Sequence, residues 1–425
     1  MIARIEPVAL GGTIPAIPSK SEAHRALVCA ALSDAPTCIS CRTSSQDIDA
    51  TLSCLAALGA RIGIDEGIYT VLPIGCGVRV AGPLDCHESG STLRFLLPVA
   101  AALGGACFQG APRLSERPLL PLIRALREHG VAIDTDGELP LTVSGRLSAG
   151  TFALPGNISS QYVTGLLLAA PLLDGTTVIR VAEPVESKPY IALTLEVLHT
   201  FGINAEIIHE DGCTSYTLRA QAAYRSPGSF EVGGDWSNAA FWLAAGALSG
   251  TGVCVEGLSL SSKQADRAIL GALSLFGARV MRTAHSASTA HDGLRGARID
   301  VSSCPDLVPA IAPLAALAEG RTVIAGAARL RLKESDRLAS ISGTLNALGA
   351  RASIIDDMLV FEGVDRLHGG EVDAAADHRI AMMAALAATR ADGPVLIHGA
   401  ECTAKSYPGF FEDFAALGGH MEWEV

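Results

Sequence analysis

Lysine is scarce in this 425-residue chain: there are five, Lys20, Lys188, Lys263, Lys333 and Lys405. Acidic residues outnumber lysine and arginine by 44 to 32, a formal net charge of −12. That balance lacks the basic footprint of a nucleic-acid or anionic-membrane binder, so neither partner is expected. Long apolar runs are also missing. Phe95 to Leu103 and Gly165 to Leu173 fall well short of the ~20 residues needed to span a bilayer. The start, Met1-Ile-Ala-Arg-Ile-Glu-Pro7, has no signal-peptide apolar core, and a cytoplasmic location is expected. There is no His-Glu-x-x-His. Cys38-x-x-Cys41 has no second pair, and His199, His209, His285 and His291 have no metal-ligand spacing, so no metal is expected. Eleven cysteines without a signal peptide read as reduced thiols. Aromatics make up only 5% of the chain. With glycine and alanine abundant, that composition suits helices packed closely on sheets.

What is present is a repeat. An apolar residue followed four residues later by glycine closes a helix-like run six times, at Gly59, Gly130, Gly202, Gly277, Gly349 and Gly418. Each glycine suits the left-handed position just past a helix. A second series of nearly equal period marks helix starts: Ser19, Ser89, Ser159, Asp235, Asp306 and Asp377 each precede a long Ala/Leu-rich run. The runs after Ser89, Ser159 and Asp377 are almost wholly apolar, which predicts buried helices. The chain therefore reads as six α/β units of about 70 residues, three with serine starts and three with aspartate starts. A domain boundary is expected around Ala223 to Ser229, and Gly11-Gly12 suggests a second crossing. The expected division is an N-terminal three-repeat domain at 13–228 and a C-terminal one made of 1–12 and 229–425.

If corresponding helices start from corresponding positions, their free N–H groups and dipoles gather where anions bind well. The polar motifs fall at these starts. Lys20, Ser21 and Arg25 open the first unit. Gly90 would let a ligand approach the backbone closely, and Arg94, inside an apolar stretch, needs a buried partner. Arg117 could bind an anion or pair with Glu116. Ser159, Ser160 and Gln161 offer two hydroxyls and an amide, and Ser187-Lys-Pro-Tyr190 is a further polar rim. Asp235 reads as a cap; Asp306 reads as either a general base or a cap. The densest stretch is Arg331-Leu-Lys-Glu-Ser-Asp-Arg337, with three cations and two acids. On a helix, Lys333 and Arg337 would share a face and could hold an anion while Glu334 moves a proton. The competing reading is a solvated helix start with local ion pairs. Arg379 and Lys405 complete the series.

Taken together, Ser19-Lys-Ser21 with Arg25, Ser159-Ser-Gln161, Lys333-Glu-Ser-Asp-Arg337, Asp377-His-Arg379 and Lys405-Ser-Tyr-Pro408 resemble the EPSP synthase (3-phosphoshikimate 1-carboxyvinyltransferase) family of enolpyruvyl transferases. The resemblance implies a two-domain α/β fold of three pseudo-symmetric repeats per domain with buried parallel helices, an inside-out α/β barrel. It implies transfer of the enolpyruvyl group from phosphoenolpyruvate to the 5-hydroxyl of shikimate 3-phosphate, without a cofactor, by a monomer that excludes water through domain closure. Position by position, Ser21, Arg25, Ser159, Ser160, Ser187 and Lys333 resemble the shikimate-phosphate contacts, and Lys20 and Gln161 those shared by both substrates. Gly90, Arg117, Arg337, Arg379 and Lys405 resemble the phosphoenolpyruvate contacts. Asp306 resembles the proton acceptor at the 5-hydroxyl and Glu334 the residue that handles the methylene proton. Glu88, Arg329 and Phe95 depart from the residues common in the family. The similar transferase acting on UDP-N-acetylglucosamine carries a reactive cysteine shortly before an Arg-Pro. Here Pro112-Arg-Leu-Ser-Glu116 precedes Arg117-Pro118. A non-catalytic anion-binding protein of the same fold is the alternative from another class.

Overall fold

In the computed structural model, which describes residues 1–75, 80–210, 212–220 and 222–424, one pattern recurs six times. In one copy, strand Leu84–Asp85 leads into helix Gly90–Leu103 and then strand Gly105–Gln109, parallel to the first. Helix Leu120–Arg127 follows, and the antiparallel hairpin Val131–Ile133 with Leu141–Gly145 completes a four-stranded sheet. All six sheets order their strands this way, as one parallel pair extended by two antiparallel ones. The sheets are separate, and among the described residues none closes into a barrel. Strands alternate buried and exposed residues, as Phe152 and Leu154 do within Thr151–Pro155, so each sheet turns one face to a core.

That core is made of helices. His378–Ala388 is buried at every position, Trp236–Leu248 at every position but Ser237, and Gly90–Leu103 is almost as enclosed. A helix apolar on all sides has no solvent face to offer and settles inside. Four of the expected polar starts cap their helices: Ser89, Ser159, Asp235 and Asp377 each accept from a backbone N–H of the first turn. At the other ends, all six repeat glycines have positive φ, from 80° at Gly202 to 107° at Gly59, where a side chain would be strained.

The chain divides into two compact units, Met1–Ser19 with Gly233–Val425, and Lys20–Val232. The crossings, at 19/20 and 232/233, both lie later than the expected 12/13 and 228/229. Strand Gly12–Pro15 pairs in parallel with Val253–Glu256, which draws residues 13–19 into the first of these units. Strand Ser229–Glu231 pairs with Thr37–Ser40, which draws 229–232 into the second. Each borrowed strand supplies the opening strand of a repeat that lacks one of its own. Ile2–Glu6 likewise completes the last sheet, between Val395–His398 and His420–Glu424.

Helices Gly90–Leu103 and Ser160–Ala169 pack closely against each other. Pro98 lies inside the first and cannot donate to the carbonyl of Arg94, one turn back. Gly165 of the second helix lies against that carbonyl, and a Cβ there would overlap the oxygen. Gly165→Ala should therefore destabilise the protein by about 1–3 kcal/mol despite the better helix propensity of alanine. A chemical-denaturation midpoint that stays level or rises would show that the backbone yields.

Candidate functional site

In the unit Lys20–Val232, helix Lys20–Ala31 brings Lys20 against Asp47, with Nζ to Oδ2 at 2.7 Å. Ser21 follows Lys20 in the first turn. Arg25 is buried. Its Nε donates to Thr194 Oγ1 at 2.8 Å, its Nη groups donate to the carbonyls of Ser21 and Tyr190, and its guanidinium lies 4.9 Å from the Phe95 ring centre. Burial pushes its pKa down to about 10. Arg94 has the buried partners its setting demands: Nη1 donates to Gln161 Oε1 at 3.1 Å and Nη2 to the Pro118 carbonyl at 3.0 Å. Gln161 Nε2 donates in turn to Ser91 Oγ at 3.0 Å, so the amide bridges two helix starts. Gly90 has no side chain to keep the Arg94 and Arg117 guanidiniums away, and a Cβ there would meet both. Glu116 pairs with Arg113. Ser159 caps its helix, Ser160 is buried beside it, and Ser187 precedes helix Lys188–Thr200 in a left-handed conformation with φ 54°.

In the other unit, the stretch around Lys333 differs from the sequence expectation. The helix begins only at Arg337, after the cap Asp336, so Lys333 and Arg337 do not share a helical face. They meet through Asp306 instead: Lys333 Nζ is 2.9 Å and Arg337 Nη1 2.8 Å from Asp306 Oδ1. Arg337 is 1% exposed. Its Nε and Nη2 hold both oxygens of Asp377 at 2.7 and 3.0 Å, and Nη2 also reaches Glu334 Oε2 at 2.7 Å. Four of its five N–H groups thus go to three carboxylates. Arg331 turns away to Asp336 and Asp357 on the surface. Asp306 is the one aspartate start whose side chain caps nothing. Its 3-10 segment, Pro305–Leu307, leads into helix Val308–Leu317 without a side-chain cap bond. Arg379 Nη1 donates to the Asp306 carbonyl at 3.0 Å. Lys405 is buried at the end of the 3-10 segment Ala400–Lys405. Nearby, Tyr407 accepts from Trp242 Nε1 at 3.0 Å and donates to Asp413.

Burial alone would push the Asp306 carboxyl up, but Lys333, then Arg379 and Arg337, together hold it well below the usual carboxylate range. Burial lowers the Lys333 pKa, with Asp306 opposing. For Arg337, burial acts downward and is outweighed by Asp377, Glu334 and Asp306, which raise it. The cluster counts three cations, Lys333, Arg337 and Arg379, and three carboxylates, Asp306, Glu334 and Asp377. Counted this way it is charge-balanced, and an anion arriving at its cations would raise the proton affinity of Asp306. From the sequence, Asp377 reads only as a helix start and as part of a motif. Its acceptance of Arg337 and of the Arg379 N–H depends on packing that the residue string does not display.

The fold is that of the enolpyruvyl transferases. An enolpyruvyl transferase from Streptomyces tendae aligns over 99% of this chain and 98% of its own with a TM-score of 0.77, a likeness of fold at 21% identity. An EPSP synthase from Acinetobacter baumannii aligns over 99% and 100% with a TM-score of 0.82 at 27% identity. The family model described as EPSP synthase (3-phosphoshikimate 1-carboxyvinyltransferase) matches residues 5–414. Proteins named 3-phosphoshikimate 1-carboxyvinyltransferase from Clostridium acetobutylicum and Clostridium kluyveri are each 41% identical. The first match covers 99% of both chains, the second 99% of this chain and 98% of the relative. The chain belongs to the EPSP synthase family. Among the described residues no helix is long and apolar enough to cross a membrane.

One buried group of the Lys20–Val232 unit makes a measurable demand on pH. His24 Nδ1 lies 2.7 Å from Thr51 Oγ1. Burial lowers the ring's pKa to about 3, against an upward pull from Asp47 and further lowering by Lys20 and Arg25. The unfolded chain therefore binds a proton at this residue between pH 6.5 and 3 that the folded chain refuses. Stability is undiminished above pH 6.5 and falls as the solution is acidified through that window, by at most ~1.4 kcal/mol per pH unit from this group. Between pH 7 and pH 5, His24→Gln should lose about 2 kcal/mol less than the unsubstituted protein. Parallel urea titrations that show the same loss in both would refute the assignment.

Proposed function

We propose that the protein transfers the 1-carboxyvinyl group of phosphoenolpyruvate to the 5-hydroxyl of shikimate 3-phosphate, giving 5-enolpyruvylshikimate 3-phosphate and phosphate. The observation that carries the reading is Arg337 joining Asp306 and Glu334 through one guanidinium, in a chain of this family. The addition needs one group to take the hydroxyl proton and another to protonate the methylene carbon. Both then reverse their roles as phosphate leaves. Asp306 is the acceptor at the 5-hydroxyl and Glu334 handles the methylene proton. At rest Asp306 is too well stabilised by cations to be an effective base. A phosphorylated substrate that draws on Lys333 and Arg379 weakens that hold and raises its basicity.

Shikimate 3-phosphate is held by Lys20, Ser21, Arg25, Ser159, Ser160, Gln161, Ser187, Asp306 and Lys333. Phosphoenolpyruvate is held by Lys20, Gly90, Arg117, Gln161, Arg337, Arg379 and Lys405. Its carboxylate and phosphate suit planar guanidinium forks and point-charge ammonium groups. Within this set Arg337 acts chiefly by orienting the two proton-handling carboxylates, since most of its donors are committed to acids. The protein works as a cytoplasmic monomer.

Phosphate release from phosphoenolpyruvate should require shikimate 3-phosphate. Release with UDP-N-acetylglucosamine instead would overturn the acceptor, and binding without release would make the protein an anion binder. Asp306→Asn and Glu334→Gln should each lower kcat by roughly 10²–10⁴-fold while shikimate 3-phosphate still binds. Near-normal kcat in either variant would remove that residue's role.

A further inference from the structure

Ser237, the one partly exposed residue in an otherwise buried helix, lies at the middle of a polar chain. Arg379 Nη2 donates to its hydroxyl oxygen at 2.7 Å, and that hydroxyl donates to Asp266 Oδ2 at 2.6 Å. Asp266 belongs to the 3-10 segment Ala265–Ala268 and is 1% exposed. The segment is pinned by Gln264, whose side chain accepts from the Trp236 N–H at 2.9 Å and donates to the Gly234 carbonyl at 2.8 Å. Arg379 is anchored at its other end by Nη1 on the Asp306 carbonyl.

We propose that Ser237 and Asp266 are positioning residues for phosphoenolpyruvate, acting through Arg379. The inference rests on the assignment of Arg379 to that substrate. A guanidinium on a flexible stem loses rotamer freedom when it binds an anion, and a fork already fixed at both ends loses less. The serine hydroxyl, donating to a buried carboxylate, is a stronger acceptor for Arg379 than a hydroxyl donating to water. Asp266 is two hydrogen bonds away from the Arg379 guanidinium. The chain therefore aligns Arg379 and also steadies the backbone of Asp306. Neither Ser237 nor Asp266 touches the reacting atoms.

Steady-state kinetics with each substrate varied in turn tests this. Ser237→Ala should raise KM for phosphoenolpyruvate by about ten-fold, the scale of one hydrogen bond to a charged group, and leave KM for shikimate 3-phosphate within about two-fold. Ser237→Thr, which keeps the hydroxyl, should restore the original value. Asp266→Asn keeps the shape and removes the charge. It should show the same one-sided rise, and it carries the test if Ser237→Ala does not fold. Arg379→Lys should raise KM for phosphoenolpyruvate as well, and adding Ser237→Ala to it should have little further effect. If Arg379→Lys raises that KM and neither Ser237→Ala nor Asp266→Asn does, the positioning role fails and the assigned reaction stands. If Arg379→Lys leaves it unchanged, the assignment of Arg379 falls and the proposal with it. Equal changes in both KM values, or full additivity in the double variant, would reduce the chain to a structural one and overturn the proposal.

Discussion

A guanidinium with almost no access to water must be matched by charge inside the protein, and Arg337 is matched three times. Asp377 takes it side-on with both oxygens, Asp306 and Glu334 take the remaining directions, and Lys333 balances Asp306. Removing any one partner would leave a buried charge uncompensated, a cost of several kcal/mol in comparable settings. The arrangement thus fixes where two acids sit relative to each other. It also keeps the proton affinity of Asp306 low until another anion competes for the cations.

The helices that surround this centre use one local device for different ends. Asp235 and Asp377 cap their helices through first-turn N–H groups, while Asp306 leaves its helix uncapped and turns its carboxylate to Lys333 and Arg337. Asp377 does both, since the oxygen that accepts from the Arg379 N–H also accepts from Arg337. A helix start is a natural place for such dual use because its orphan donors and its dipole already favour a carboxylate.

The Lys20–Val232 unit handles charge differently. Arg25 and Arg94 are buried and spend their donors largely on carbonyls, a hydroxyl and an amide. Lys20 has a carboxylate in Asp47. Arg94 and Arg117 crowd the side-chain-free Gly90 at the start of its helix. Such a place is suited to an anion.

Much of this was legible in the residue string. The glycine period announced six repeats because only a left-handed closing position calls for glycine so regularly. The capping serines and aspartates marked buried helices because each preceded a run with no polar face. The buried partner required by Arg94 followed from its apolar neighbours. Other features were decided by tertiary structure. The strands that complete the first repeat of each unit come from Ser229–Glu231 and Gly12–Pro15, because pairing across the sheet, not nearness in sequence, chooses the partner. Lys333 and Arg337 meet on Asp306 and not along a helix, since a turn holds Lys333 until the cap at Asp336. Ser237 and Asp266 looked ordinary because nothing local reveals that their side chains end at Arg379. Local order is written in short-range chemistry, and the pairing of buried charges is written only in how distant segments pack.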